Sequence, residues 1–148
     1  MADINNAHAQ LSYESAVYRE QLRLLQKEIE RINLATIDLS NALSTAERIA
    51  AQEVLVPVGG GAFVKASVAN TSILVPIGAN YLAEMEKDKA VAELKKRMDS
   101  TRSAIEKLNE EFQKVSVRLR EINFKLREVQ TQAAISKRVD ENIGEDYL

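Results

Sequence analysis

Between Val54 and Ala83 the chain reads VLVPVGGGAFVKASVANTSILVPIGANYLA, and this segment decides the fold. It holds both prolines and four of the five glycines, and its apolar residues recur with a period of about two, which is typical of β-strands. Pro57 and Pro76 would interrupt a helix, and the glycines can supply the positive φ angles of tight turns. Helical structure is therefore expected to stop near Glu53 and to resume near Glu84.

The segment contains an internal repeat. Leu55-Val56-Pro57-Val58-Gly59 is echoed by Leu74-Val75-Pro76-Ile77-Gly78, and each copy precedes a second apolar strand. This pattern predicts two tandem β-hairpins, over residues 54–83, joined by a turn-like Ala-Asn-Thr-Ser connection. Because four short strands cannot bury a core and their outer edges lack partners, the hairpins are expected to complete a sheet or barrel with other subunits. The residues predicted to form this oligomer interface are Leu55, Val56, Val58, Phe63, Val64, Val68, Leu74, Val75, Ile77 and Tyr81.

Heptad patterns of apolar residues flank the hairpins, from Ile4 to Ala50 and from Val91 to Ser136. Apolar residues repeating every 3.5 positions specify helices that bury a narrow seam against another helix. The sequence predicts a mainly α protein with a small β portion, in one domain over residues 1–148. Coiled-coil helices are expected over residues 4–52 and 84–140, and a flexible tail over residues 141–148.

The charges beside the two seams differ in sign. The first helix offers Glu14, Glu28 and Glu47 against one Arg19. The second offers one Glu111 against six basic residues, Lys95, Arg97, Arg102, Arg118, Lys125 and Lys137. Opposite charges favour pairing of the two helices with each other in one antiparallel hairpin. In such a hairpin the numbers of facing residues sum to about 140, and both chain termini lie at the tip farthest from the strands.

Composition excludes several classes of function. Twenty basic and 22 acidic residues give a net charge of −2, without the basic excess that binding to a phosphate backbone usually needs. The chain has no cysteine for a disulfide or a thiolate metal site, and no apolar run approaches the roughly 20 residues that cross a bilayer. The polar start of the chain does not resemble a signal peptide. We expect a soluble, cytoplasmic protein that binds neither nucleic acid nor membranes.

No constellation of catalytic residues is visible in the sequence. The only histidine, His8, falls in the seam, where a helix-packing role is favoured over a metal or catalytic role. The three consecutive glycines at 59 to 61 are followed by a strand and not by the Lys-Ser/Thr and helix of a phosphate-binding loop. The sequence therefore predicts no enzyme, no cofactor and no metal site.

Several apolar residues lie outside the seam and should face solvent. They are Tyr13, Val17 and Leu24 in the first helix and Val117, Phe124, Ile135 and Val139 in the second. Another helix of a larger bundle could cover them, or they could be scattered surface residues without a role. The functional alternative is an adaptable apolar surface for a partner. Leu34, Ile37 and Ile49 are also off the seam, but nearer the strands, where packing against a neighbouring subunit is the better interpretation.

The stretch from Leu55 to Ala66, LVPVGGGAFVKA, resembles the "LVP-G-G-F-KA" stretch of the prefoldin family. The resemblance continues through the second hairpin, around Ile73 to Tyr81, and covers essentially the whole chain. Two hairpins resemble the archaeal-type alpha class, since the beta class carries one. The second turn, Gly78-Ala79-Asn80-Tyr81, departs from the Gly-Ala-Gly form common in the family.

The resemblance implies a hexamer of two alpha and four beta subunits, whose hairpins form a double β-barrel body and whose coiled coils project from it. It also implies an ATP-independent holdase chaperone, which grips unfolded or nascent proteins between the coiled-coil tips and delivers them to a group II chaperonin. The residues that we assign to client binding at the tips are Ile4, Leu11, Tyr13, Val17, Phe124, Ile135 and Val139.

Two other assemblies remain open at this stage. A prefoldin-like chain could assemble only with itself, through the same strand edges, into a filament. Alternatively, the coiled coil could be a structural tether, with the hairpins as its dimerisation module and no benefit to unfolded proteins. Subunit stoichiometry distinguishes these alternatives from the hexamer.

Overall fold

The computed structural model describes the backbone of residues 2–145 and the side-chain exposure of residues 3–138. The elements in order are α1 (Ala2–Arg48), β1 (Glu53–Gly59), β2 (Ala62–Ser67), β3 (Ile73–Gly78), β4 (Tyr81–Met85) and α2 (Lys87–Glu145). Two long helices thus flank two small antiparallel hairpins, which confirms the predicted mainly α fold with a small β portion. We refer to β1 with β2 as hairpin 1 and to β3 with β4 as hairpin 2.

The ends of the helices differ from the sequence expectation by a few residues. α1 ends at Arg48 and not at residue 52, and the Lys87 side chain donates a hydrogen bond to the free Ile49 carbonyl at 3.1 Å. α2 begins at Lys87 and not at residue 84, because β4 continues to pair with β3 as far as Met85.

The predicted tail starts too early. α2 continues to Glu145, so residues 141–145 of the predicted tail are helical, and its last three residues, 146–148, lie outside the description of the backbone. The physical reason is the absence of a helix breaker, since α2 contains no proline and its single glycine, Gly144, stands one residue before its end.

The two hairpins share one register. Val56 faces Val64 in hairpin 1, and Val75 faces Ala83 in hairpin 2. Each first strand is irregular at the same place, between its proline and the glycine two residues later. The internal sequence repeat is therefore also a structural repeat. The hairpins form two separate two-stranded sheets.

Each hairpin closes with a two-residue turn whose residues have left-handed backbone angles. The φ angles are 58° and 78° at Gly60 and Gly61, and 48° and 60° at Ala79 and Asn80. Positive φ at both central residues is the pattern of the type I′ turn, whose twist matches that of the flanking strands. The second turn keeps this geometry without glycine at either central position.

The chain divides into two compact units, and both hairpins belong to the unit formed by residues 32–105. Its buried side chains come from both helices and from hairpin 2; they are Ala46, Val75, Ala90, Leu94 and Met98. Arg97 donates a hydrogen bond to the Pro76 carbonyl at 2.6 Å, which ties hairpin 2 to α2. Lys95 and Glu47 form an ion pair at 3.0 Å between the helices.

The other unit combines residues 1–31 with residues 106–148, and its helices pair in antiparallel fashion. Ser15 is buried in the seam and donates a hydrogen bond to the Asn123 side chain at 3.0 Å, and His8 lies 3.2 Å from Gln130. The numbers of these facing residues sum to about 140, as the heptad pattern predicts. His8 is a half-buried seam residue.

Candidate functional site

Large apolar side chains stand exposed on both helices of the unit formed by residues 1–31 and 106–148. Tyr13 is 71% exposed and Phe124 is 63% exposed, and Val17 and Ile135 are also open to solvent. Leu24 and Val117 share this exposure. The prediction that these off-seam residues face solvent within the single chain is confirmed, so this unit presents apolar area that its own fold does not cover.

The other residues predicted for client binding are placed differently. Ile4 and Leu11 are half-buried, because they belong to the seam that joins the two helices. Ile4 also lines a cavity of about 240 Å³ together with Ala133 and Ser136 of α2. The side chain of Val139 lies outside the described residues. Of the six predicted residues whose side chains the structure describes, four are thus exposed and two belong to the seam.

The exposed residues form two stripes that face in different directions. Tyr13 and Phe124 both occupy the heptad position opposite the seam of their own helix, so they point away from each other. Phe124 borders a depression lined only by α2 residues, among them Arg127 and Thr131. We name Tyr13, Val17 and Leu24 the α1 stripe and Val117, Phe124 and Ile135 the α2 stripe.

Charged side chains beside the α1 stripe are paired within the helix. Arg23 forms an ion pair with Glu20, and Arg31 forms one with Glu28. The hydrogen bond from each arginine lowers the pKa of its glutamate below the usual value, and it raises the pKa of the arginine. These four charges therefore compensate each other in pairs on the surface of α1.

The two hairpins present apolar outer faces of nearly equal exposure. On hairpin 1 Leu55 is 63% and Phe63 is 60% exposed, and on hairpin 2 Leu74 is 62% and Leu82 is 58% exposed. Residues near the turns are exposed as well; they are Val58, Ile77 and Tyr81. Most of the residues predicted for the oligomer interface are thus free in the single chain.

The inner faces of the hairpins differ. Val56 and Val64 of hairpin 1 are 42% and 49% exposed, whereas Val75, which occupies the place of Val56 in the repeat, is 1% exposed. Val68, which follows hairpin 1, is half-buried, and its N–H donates to the Gln52 carbonyl at 2.9 Å. Hairpin 2 is therefore covered on one face by its own subunit, and hairpin 1 is not.

Val75 corrects the predicted interface. It lines an apolar cavity of about 330 Å³ together with Ala46 and Leu94 of the helices, so it belongs to the core of the subunit and has no surface left for another chain. Leu82 is the opposite case, because the prediction omitted it although it is exposed. The available signal was the period of two along the strands, which places Leu82, opposite Pro76, on the same face as the Leu74 and Glu84 pair.

The strands also have free edges. Each sheet in the described part of the chain contains two strands, so every strand lacks a neighbour on one side. Unpaired N–H and C=O groups on such an edge can bind a strand of another chain. Exposed apolar faces and open strand edges thus occur together on the hairpins.

The described residues contain no group of three or more His, Cys, Asp or Glu side chains that could hold a metal ion. Over the same residues neither helix is long and apolar enough to cross a membrane.

Comparison with known proteins places the chain in a family. Residues 18–132 match the prefoldin subunit family. Prefoldin subunit alpha of Pyrococcus horikoshii is 31% identical over 113 residues, covering 72% of this chain and 76% of the relative. Prefoldin subunit alpha of Methanosarcina barkeri is 28% identical over 111 residues, covering 72% of this chain and 77% of the relative.

Two solved structures share the fold. A cryo-EM structure of filamentous prefoldin from Methanocaldococcus jannaschii superimposes with a TM-score of 0.65 at 22% identity, covering 77% of this chain and 98% of that one. The prefoldin beta subunit from Thermococcus strain KS-1 gives a TM-score of 0.56 at 20% identity, covering 86% of this chain and 92% of that one. From the family match, the alpha-subunit relatives and the two repeated hairpins, we conclude that the chain belongs to the prefoldin family.

Proposed function

We propose that this chain is the alpha-type subunit of an ATP-independent holdase, which binds non-native proteins at the distal ends of its paired helices and prevents their aggregation. Membership of the prefoldin family supports a chaperone-type subunit. The α1 and α2 stripes support this location of the client site. Tyr13 and Phe124 present large apolar surfaces that the subunit's own fold does not bury.

The proposed mechanism is holding by many weak contacts. A non-native chain exposes apolar segments, and burial of apolar area against the stripes stabilises the complex by about 25 cal/mol per Å². Because the stripes face in different directions, one helix pair can contact client segments on two sides. Several subunits acting on one client raise the effective concentration of each contact, so single contacts stay weak enough to release without ATP.

The proposed assembly contains two alpha-type and four beta-type prefoldin subunits, whose hairpins together form a β-barrel body. The free strand edges and the exposed outer faces of both hairpins support it. In this proposal the complex acts in the cytosol and delivers its client to a group II chaperonin.

The client site can be tested with a double substitution in the assembled complex. Tyr13→Ser with Phe124→Ser removes the largest side chain from each stripe, and both positions are too exposed for the change to disturb the seam. We expect the complex to suppress aggregation of a diluted, denatured test protein several-fold less well, because about 2 kcal/mol of apolar contact is lost for each side chain. Light scattering measures the suppression.

A matched control is Gln10→Ser with Gln113→Ser, which shortens one exposed polar side chain on each of the same helices without removing apolar area. Native mass spectrometry of both variants verifies that the complex is intact. Full suppression of aggregation by the Tyr13 and Phe124 variant, in an intact complex, would refute the location of the client site.

A self-assembling filament is the second candidate, and the open edges of both hairpins are the observation that favours it. A tether without client binding would also use those edges. Native mass spectrometry of the complex from source cells decides between them: two copies with four smaller partners support the hexamer. An open-ended series of homopolymers supports the filament, and a bare dimer without aggregation suppression supports the tether.

A further inference from the structure

The part of α2 that bears the α2 stripe is strongly basic, although the whole chain has a net charge of −2. Between residues 112 and 138 the acidic side chains are Glu121 and Glu128. The basic side chains of the same segment are Lys114, Arg118, Arg120, Lys125, Arg127, Lys137 and Arg138. All of these charged side chains are exposed. The segment therefore carries a net charge of +5 on its surface.

The part of α1 that bears the α1 stripe has no such excess. Residues 10–31 contain four acidic and four basic side chains. Two of the basic ones, Arg23 and Arg31, form ion pairs with glutamates of their own helix. In the described part of the chain, no ion pair involves a basic residue between 114 and 127 of α2. The excess positive charge of this unit thus lies on α2.

Arg120 and Arg127 lie beside the apolar side chains of the α2 stripe. Residues three or four positions apart are neighbours on one face of a helix. Arg120 follows Val117 by three positions and precedes Phe124 by four. Arg127 follows Phe124 by three positions, and these two side chains line the same depression of about 380 Å³. A segment that buries apolar area against Phe124 therefore comes within reach of two guanidinium groups.

The two glutamates of the segment do not cancel these guanidinium charges. Glu121 has Arg118 and Lys125 as neighbours three and four positions away, and Glu128 has Lys125 three positions away. Arg120 and Arg127 have no acidic residue at either spacing. Each is followed directly by a glutamate, but consecutive residues of a helix do not face each other. Arg120 and Arg127 are thus the uncompensated charges next to Phe124.

We propose that the α2 stripe binds segments of non-native proteins in which acidic residues stand among apolar ones, with Arg120 and Arg127 contacting the carboxylates. The inference rests on the proposed client site, and it adds the class of segment that the site prefers. A guanidinium can donate two parallel hydrogen bonds to one carboxylate. A basic segment at the same place would bring like charges together, which disfavours binding. The α1 stripe, where the charges balance, gives no such preference.

Labelled peptides test the preference on the full chain by fluorescence anisotropy. Three peptides share the same apolar residues and carry Glu, Gln or Lys at their polar positions. We expect the Glu peptide to bind about tenfold more tightly than the Lys peptide, with the Gln peptide between them. At about 1 M salt, where the Debye length is about 3 Å, the difference should fall to about twofold.

Substitution of the two arginines locates the preference. Arg120→Gln with Arg127→Gln should reduce the difference between the Glu and Lys peptides to about twofold, while the affinity for the Gln peptide changes by less than about twofold. The matched control is Arg19→Gln with Lys27→Gln, which removes the same charge from exposed positions of α1 and should keep the tenfold difference. Far-UV circular dichroism verifies that both variants are folded.

The Gln peptide separates this inference from the proposed client site. If the Gln peptide binds but the Glu and Lys peptides bind equally, or if the difference survives the Arg120 and Arg127 change, the preference is refuted and the client site stands. If none of the three peptides binds, both are refuted. A single-stranded oligonucleotide that binds as tightly as the Glu peptide would also overturn the inference, because the site would then recognise any polyanion.

Discussion

Ala79 has a left-handed backbone conformation, which glycine adopts more readily than alanine. Its φ angle is 48°, and the equivalent position of hairpin 1 is Gly60, at 58°. Left-handed angles cost a residue with a Cβ atom about 1 to 2 kcal/mol, and glycine avoids this cost while losing some entropy on folding. The turn of hairpin 2 is therefore strained at Ala79, whereas the turn of hairpin 1 has glycine at the equivalent position.

We expect Ala79→Gly to raise the free energy of unfolding of the chain by roughly 0.5 to 1 kcal/mol, because relief of the left-handed alanine exceeds the entropy that glycine loses. Urea titration followed by circular dichroism measures it. The mirror change, Gly60→Ala in hairpin 1, should lower stability by a similar amount. A loss of stability in Ala79→Gly would contradict the assigned turn.

A single polar contact, between Ser15 and Asn123, lies within the apolar seam of the two helices. Ser15 is 3% exposed, and its hydroxyl donates to the Asn123 amide oxygen at 3.0 Å. A polar group in a coiled-coil seam fixes the axial register of the helices at some cost in stability. The pair sets which turn of α1 lies beside which turn of α2 in this unit.

Ser15→Ala should reduce the free energy of unfolding by about 1 kcal/mol, because it leaves the partly buried Asn123 amide without its donor. Replacing both partners, Ser15→Ala with Asn123→Leu, should recover much of the loss, since no polar group then remains unpaired. A double-mutant cycle in thermal melts gives the coupling. Strict additivity of the two losses would show that the bond contributes nothing.

At the scale of elements, the two hairpins are alike in sequence and register but not in burial. Val56 and Val75 are equivalent in the repeat, yet one is 42% exposed and the other 1%. Hairpin 2 is held against the helices by the bond from Arg97 to the Pro76 carbonyl. One copy of the repeat is therefore part of the subunit core, whereas the other is exposed on both faces.

This difference predicts unequal effects of the same substitution. Val75→Asp should destabilise the subunit by about 3 kcal/mol or more, since it buries an unpaired carboxylate in the core. Val56→Asp should leave the melting temperature and helical content of the single chain nearly unchanged while preventing assembly. Circular dichroism melts and native mass spectrometry measure the two effects. An equal loss of melting temperature in both variants would contradict the distinction.

The sequence predicted the elements because their periods are strong. The heptads predicted two paired helices in which the numbers of facing residues sum to about 140. The repeat predicted two hairpins. It could not predict that Val75 is buried, because the two copies are nearly identical and only the packing of Ala46 and Leu94 around one of them separates them. Burial of one repeat is a property of the folded unit and not of the motif.

The charges beside the seam were only partly predictive. Glu47 pairs with Lys95 of the other helix, as expected. Glu28 instead pairs with Arg31, three residues along its own helix, where the two side chains meet without any tertiary contact. Local pairing competes with pairing between helices, and a list of flanking charges does not reveal which one prevails.

For the whole molecule, the two proposed activities lie in different parts of the chain. The hairpins that we assign to assembly belong to residues 32–105, and the stripes that we assign to clients belong to the unit of residues 1–31 and 106–148. Substitutions in the stripes should therefore leave the mass of the complex unchanged, and those in the hairpins should alter it. The Tyr13 and Phe124 variant and the Val56 variant together test this separation.

The position of the stripes opposite the seam also bears on how such a protein changes over generations. Tyr13 and Phe124 face solvent in the single chain, so their replacement costs the fold little. Seam residues such as Val115 and Ile122 are buried and constrain each other. Substitutions at these few outward positions can therefore change the apolar surface that the helices present, while the buried seam that joins the helices stays the same.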